Sequence, residues 1–327
     1  MSRTKHKQNH EYYYGCNKMR RILSIDGGGI RGIIPAIILS KIEIITGKPI
    51  SDCFDLVAGT STGGILALGL SKDDGNGRPR YSAAEMSEIY KSHGKDMFSR
   101  TLWKRICSIF GINGGMYTSR GIEKTLDTYF GHTAMKSALT KTLVTSYDIN
   151  NRTPVFLKSW KEEYFHVQMK HAARATSAAP TYFEPVLMSI GNKTRVLIDG
   201  GVFINNPAAS AYAEAKKIFP NEADFFVLSL GTGQVRYPIS YSDAKSWGKI
   251  GWMIPLLSCI FDGQVDTVDY QMDLLLSDKY VRLQPSLLMA SEYMDNITSN
   301  NIEKLTSEAE IILRANEDKI RKICNFL

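Results

Sequence analysis

The sequence predicts an α/β protein built on one mostly parallel sheet with helices on both faces. Two observations carry that expectation. A strand, a glycine turn and a helix follow one another twice within residues 21–70, and further strand-like runs alternate with helix-like stretches as far as residue 230. Such alternation places crossover helices on both faces of a parallel sheet. Residues 21–25 read as a short strand, Gly27 to Gly29 as a tight loop, and 33–45 as an amphipathic helix that stops near Gly47 and Pro49. Residues 54–58 then read as a second buried strand, 59–63 as a sharp turn and 64–70 as the start of a helix. Further strands are expected at 142–147, 155–158, 195–198 and 225–230. No repeat, low-complexity block or linker divides the chain, so a single domain is expected over 21–327. Its motifs end by about residue 285, and 286–327 reads as a helical C-terminal part. Residues 1–20 are polar, basic and without apolar period, and read as a flexible tail.

Bulk properties narrow the function classes. The 327 residues are 43% hydrophobic and 22% charged, enough for a sizeable core. An excess of 40 Lys and Arg over 33 Asp and Glu gives +7, a bias toward anionic surfaces that a merely solubilising exterior explains equally well. Cys16, Cys53, Cys107, Cys259 and Cys324 are scattered, with no C-x-x-C pair and no histidines at metal spacing, so neither a disulfide framework nor a metal site is expected. The N-terminal residues lack the apolar core of a secretory signal. Apolar runs such as 33–39 and 65–70 fall short of the roughly 20 residues that cross a bilayer. The expected location is cytoplasmic, with any membrane met from one side. Residues 73–77 hold two aspartates and an asparagine but lack the alternation and closing glutamate of a calcium loop, and read as a turn. Nucleic-acid binding has only the net charge behind it.

The sharpest local signal is Gly59-Thr60-Ser61-Thr62-Gly63, a G-x-S-x-G run between a strand and a helix. A serine on such a turn projects its hydroxyl clear of the sheet, and the flanking glycines permit a strained backbone and close approach of substrate. The helix start behind it favours developing negative charge. Asp26-Gly27-Gly28-Gly29-Ile30-Arg31-Gly32 occupies the equivalent place in the first unit. Consecutive glycines leave backbone N–H groups unobstructed, as an oxyanion hole requires. Arg31 either braces this loop or meets a lipid phosphate. A phosphate-cradling loop for a nucleotide is the alternative, weakened because no Gly-Lys-Ser/Thr ending follows and the glycines do not fit G-x-G-x-x-G.

Ser61 needs a base. His6 and His10 lie in the tail, and His93, His132, His166 and His171 follow no strand end near a second motif. Asp199 ends the strand-like run 195–198 and opens Asp199-Gly200-Gly201. In a parallel sheet, sites form beyond the carboxyl ends of strands, which would bring Asp199, Ser61 and Gly27 to Gly29 to one edge. A Ser-Asp pair suffices chemically if the carboxylate takes the serine proton and the loop amides hold the oxyanion.

In order and spacing, these three motifs resemble those of the patatin-like phospholipases. Ala175-Thr176-Ser177-Ala178-Ala179-Pro180 before Tyr182-Phe183, and Leu230-Gly231-Thr232-Gly233, are similar as well. The resemblance spans about residues 20–285 and implies a three-layer α/β/α fold related to cytosolic phospholipase A, with no cofactor and no calcium in the chemical step. It implies Ser61 as nucleophile, Asp199 as base and Gly27, Gly28 and Gly29 as oxyanion loop, supported by Asp26, Arg31, Gly32, Gly59, Gly63, Gly200 and Gly201. The expected substrates are fatty acyl esters of phospholipids or other acyl lipids. Some bacterial members are toxins or antiphage effectors under a small-molecule or protein activator, and neither such a switch nor a homodimer is identified by this sequence. A non-catalytic lipid-binding or storage protein of the same fold is the competing reading. Two stretches are candidates for peripheral membrane contact: 98–116, where Gly111 to Gly115 would hinge a lid, and 247–261.

Overall fold

A computed structural model describes residues 18–97, 119–234 and 238–327. Its strands are β1 (Arg20–Ile25), β2 (Leu56–Gly59), β3 (Lys141–Asp148), β4 (Thr153–Lys158), β5 (Val186–Ile190), β6 (Lys193–Asp199), β7 (Phe225–Leu230) and β8 (Tyr280–Leu283). Its helices are α1 (Ile33–Thr46), α2 (Ile50–Cys53), α3 (Thr62–Ser71), α4 (Ala83–Met97), α5 (Ser119–Phe130), α6 (Met169–Thr176), α7 (Ala208–Ile218), α8 (Tyr241–Ser246), α9 (Lys249–Leu276), α10 (Ser299–Ala315) and α11 (Glu317–Phe326). The strands form one sheet in the order β5-β6-β3-β2-β1-β7-β8, with β4 also paired to β3.

Side-chain alternation along the central strands builds a core on each face of this sheet. Leu23, Ile25, Val57, Phe226 and Leu228 pack with side chains of α1, α3 and α4 on one side. Ile22, Leu56, Ala58, Phe225 and Val227 pack with Ala208, Ala211 and Ala215 of α7 and Met272 of α9 on the other. Strands buried on both faces have no polar side to show, which is why 225–230 reads as an unbroken apolar run. The three-layer expectation therefore holds, with β2-β1-β7-β8 and β2-β3 all parallel.

The other end of the sheet departs from expectation. β3 pairs antiparallel with both β4 and β6, and β6 antiparallel with β5. Asp199 thus does not end a strand that runs alongside β2. It reaches the same edge because β3 overhangs β2. Gly59 pairs with Val144, and β6 pairs only with the residues beyond it, Ser146 to Asp148, running back toward the centre. Asp199 stops opposite Ser146, two residues past Val144, just as Ser61 lies two residues past Gly59. The β5–β6 hairpin closes on Gly191 in the left-handed region at φ 56°, between paired Ile190 and Lys193. Its Gly-Asn dipeptide is a two-residue turn signal. Arg20, assigned to the tail, instead begins β1 and pairs with Asp55 at 3.1 Å and Glu222 at 2.9 Å. The 98–116 candidate lies outside the described residues, as does the tail before residue 18.

Candidate active site

Ser61 sits on the corner between β2 and α3 with φ 54° and ψ −121°, a conformation that costs a non-glycine residue about 1–3 kcal/mol. The surroundings over-determine it. The Ser61 amide donates to Thr176 Oγ1 at 2.8 Å, and the Ser61 carbonyl accepts from Ile65 in the first turn of α3. The corner is too tight for side chains at either glycine: a Cβ on Gly59 would lie 2.1 Å from the Gly63 carbonyl oxygen, and one on Gly63 would lie 2.2 Å from that of Ile25. Turn chemistry alone therefore accounts for both glycines of G-x-S-x-G.

The loop after β1 closes against this corner. A Cβ on Gly27 would approach Ser61 Cβ to 3.2 Å and Asn205 Oδ1 to 2.4 Å. On Gly32 it would lie 2.3 Å from Thr62 Oγ1, which hydrogen-bonds Tyr90 at 2.6 Å. Asp26 is buried beneath and forms a two-point ion pair with Arg282 of β8, at 3.0 and 2.6 Å. Arg31 braces the loop: its guanidinium donates to the carbonyls of Gly28 at 3.3 Å and Gly233 at 3.1 Å. One expectation needs correction. The Gly27 amide is already donated to the Asn205 carbonyl at 3.2 Å, because the residues after Asp199 run back across the loop. The Ile30 and Arg31 amides are likewise taken, by Met294 and Gly28. The amides of Gly28 and Gly29 have no acceptor among the described residues.

Asp199 is buried, and its Oδ1 accepts the Gly201 amide at 2.8 Å. Burial pushes its pKa up to about 6, against the opposing pull of hydrogen bonds from the Gly201 amide and the Ser61 hydroxyl. Gly200 is required here because a Cβ would meet Thr145 Oγ1 at 2.1 Å. Thr145 Oγ1 in turn lies 2.7 Å from Thr60 Oγ1, tying the Asp199 turn to the Ser61 turn. The Asp199 amide donates to Ala178, two residues after the Thr176 that holds Ser61. The 175–180 motif thus supports both residues at once.

Ser61, Asp199 and Gly29 line one cavity of about 60 Å³, walled by apolar groups such as Ile65, Ile122, Phe183 and Met294. Among the described residues no histidine lines it and no group of metal-ligating side chains forms. The 73–77 segment is a turn, with Asp73 Oδ1 accepting the Gly75 and Gly77 amides at 2.8 and 2.9 Å. Sequence reasoning missed Asn205, Arg282, Thr145 and Tyr90. Asn205 stands six residues after Asp199 and so was within reach of a local reading. Arg282 carries no local signal, since only the sheet order brings β8 beneath Asp26.

The fold and site together define a three-layer α/β/α protein with a strained serine at a strand-to-helix corner and a buried carboxylate on the same cavity. The chain belongs to the patatin-like phospholipase family, whose model matches residues 23–212. Patatin-like protein 2 of Oryza sativa subsp. indica is 30% identical, over 93% of this chain and 86% of its own. Patatin group M-2 of Solanum tuberosum is 30% identical over 91% of this chain and 84% of its own. Human GIVD cytosolic phospholipase A2 aligns with 95% of this chain and 60% of its own, at a TM-score of 0.46 and 10% identity.

Proposed function

We propose that this chain is a lipid acyl hydrolase of phospholipase A type, with Ser61 as nucleophile and Asp199 as base. Family membership supports lipid acyl hydrolysis in broad terms. The observation that supports the dyad is the shared cavity, which Ser61 and Asp199 both line, with the Asp199 carboxylate buried and its pKa pushed up to about 6. A carboxylate raised this far is a stronger base than an ordinary aspartate yet is ionised at neutral pH. Asp199 accepts the Ser61 proton as Oγ attacks the ester carbonyl carbon. The Gly28 and Gly29 amides donate to the resulting oxyanion. Collapse expels the alcohol, which leaves with the proton from Asp199. Water then attacks the acyl-enzyme carbonyl as Asp199 takes its proton; the bond to Ser61 Oγ breaks, Asp199 returns the proton to Oγ, and the fatty acid departs.

Two features support a lipid surface as the place of work. Trp252, Leu256 and Ile260 recur every four residues along α9, with Leu256 48% and Ile260 42% exposed. Gln264 continues that row and donates to the Val202 carbonyl at 3.4 Å, beside the Asp199 turn. Tyr293 is also exposed, beside the Met294 that walls the cavity. No helix among the described residues is long and apolar enough to cross a membrane. The cavity is well below the ~300–1,000 Å³ of ligand pockets, so acyl entry requires its rim to part. The nucleotide alternative is disfavoured because the Met294 carbonyl already caps the Ile30 amide at 2.9 Å, where a phosphate would bind.

The test is fatty acid release from phosphatidylcholine vesicles with EDTA present, for the intact chain, Ser61→Ala and Asp199→Ala. Release lost in both variants supports the reading. Release by the intact chain that survives Ser61→Ala overturns it.

A further inference from the structure

Thr232, in the Gly231-Thr232-Gly233 turn after β7, has so far no task. It is 2% exposed, and its hydroxyl donates to the Gly27 carbonyl at 2.7 Å. Asn205 Nδ2 approaches the same oxygen at 3.5 Å. That carbonyl belongs to the peptide unit whose other end is the Gly28 amide. All peptide bonds in the described chain are trans, and in a trans unit C=O and N–H point in opposite directions. Fixing the Gly27 oxygen therefore fixes where the Gly28 hydrogen points, which is away from Thr232. The loop has closed onto this side chain, since a Cβ on Gly28 would come within 2.2 Å of Thr232 Oγ1.

The need for such a clamp follows from the sequence. Between two glycines no side chain resists rotation of the peptide plane. Rotated by half a turn, the unit would present a carbonyl oxygen in place of an N–H, repelling an oxyanion instead of binding it. Gly28 is buried and its amide has no acceptor among the described residues, an uncommon and costly state unless a ligand supplies one. The turn that carries Thr232 is itself secured, by the Gly231 amide on the Leu283 carbonyl at 2.9 Å and by Arg31 on the Gly233 carbonyl at 3.1 Å.

We propose that Thr232 is a positioning residue of the oxyanion hole: its hydroxyl holds the Gly27–Gly28 peptide with the Gly28 N–H directed at the reacting carbonyl. This rests on the reading of Gly28 as an oxyanion donor. The test compares the intact chain with Thr232→Val, which keeps the shape and loses the hydroxyl, and Thr232→Ser, which keeps the hydroxyl. On a p-nitrophenyl ester, Thr232→Val is expected to lower kcat about 10²-fold, the scale of one lost oxyanion donor, with KM nearly unchanged. Thr232→Ser is expected to restore most of that loss. A crystal structure of Thr232→Val is expected to show the Gly27–Gly28 peptide rotated or in two orientations. An unchanged kcat, a Thr232→Ser variant as slow as Thr232→Val, or an unrotated peptide in the valine variant each overturns the proposal. An intact chain that hydrolyses no ester would instead overturn the hydrolase reading, and the peptide orientation would still decide the clamp.

Discussion

The chain uses one local plan twice, and the two copies do opposite things with it. Both β1 with α1 and β2 with α3 pass from a buried parallel strand through a glycine turn into a helix, and Ile25 pairs with Gly59 in register. In the first copy, three glycines remove every side chain, and the loop presents backbone amides. In the second, two glycines permit one residue to be forced to φ 54°, and the turn presents a hydroxyl. On the proposed reading, the same edge of the sheet supplies a place for negative charge and a group that creates it. What separates the copies is the neighbour each glycine meets. Gly59 and Gly63 meet backbone, whereas Gly27 and Gly28 meet the Asn205 and Thr232 side chains, and in the first copy Gly29 alone meets backbone, at the Met294 carbonyl.

Four predictions sharpen or break that contrast. Ser61→Ala removes the hydroxyl and leaves the corner, so turnover falls about 10⁴-fold or more while far-UV circular dichroism is unchanged. Residual turnover near the intact level would mean that the second copy carries no nucleophile.

The second concerns the base that only the serine copy requires. Asp199 must be ionised to accept a proton, and its pKa is raised to about 6, so kcat/KM rises with pH up to about 6 and levels above it. The stability sign is opposite. Folding raises this pKa above its usual 3.8, so the folded state holds the proton more tightly than the unfolded one. The resulting stability is fully present below pH 3.8 and is lost as pH climbs through about 6, a difference of about 3 kcal/mol. Asp199→Asn should therefore abolish turnover yet flatten this part of the stability-against-pH curve in denaturant melts.

The remaining two probe the glycines. Gly63→Ala drives a methyl into the Ile25 and Asp26 carbonyls and should cost about 2–3 kcal/mol in urea unfolding, because backbone cannot step aside. Gly28→Ala meets Thr232 at Oγ1 (2.2 Å) and at Cβ (2.6 Å), and turning the side chain moves only Oγ1, so the Thr232 turn must shift and the cost should likewise be about 2–3 kcal/mol. That shift breaks the Thr232 bond to the Gly27 carbonyl, so at similar stability loss turnover should fall further in Gly28→Ala than in Gly63→Ala. Equal turnover in the two variants would erase the distinction between the copies.

Much of this was legible in the sequence for a physical reason. Glycine spacing and unbroken apolar runs are local signals, and both strand-turn-helix units are local objects. Ser61 was readable because its turn is made of five consecutive residues. Asp199 reaches the edge by a different route from the one expected, since its strand is antiparallel and arrives there through the overhang of β3. Register of that kind is set by pairing partners distant in sequence. The same is true of Arg282 under Asp26, 256 residues away, and of the Asn205 carbonyl that takes the Gly27 amide. The 286–327 part reads as helical, and Ser299–Ala315 and Glu317–Phe326 are helices.

The dyad is tested most directly by a fluorophosphonate probe, which needs an activated serine and no particular lipid. One adduct per chain is expected, mapped by mass spectrometry to Ser61, forming more slowly below pH 6 and about 10³-fold more slowly in Asp199→Asn. Labelling that proceeds at the intact rate in Asp199→Asn, or an adduct on another serine, would contradict it.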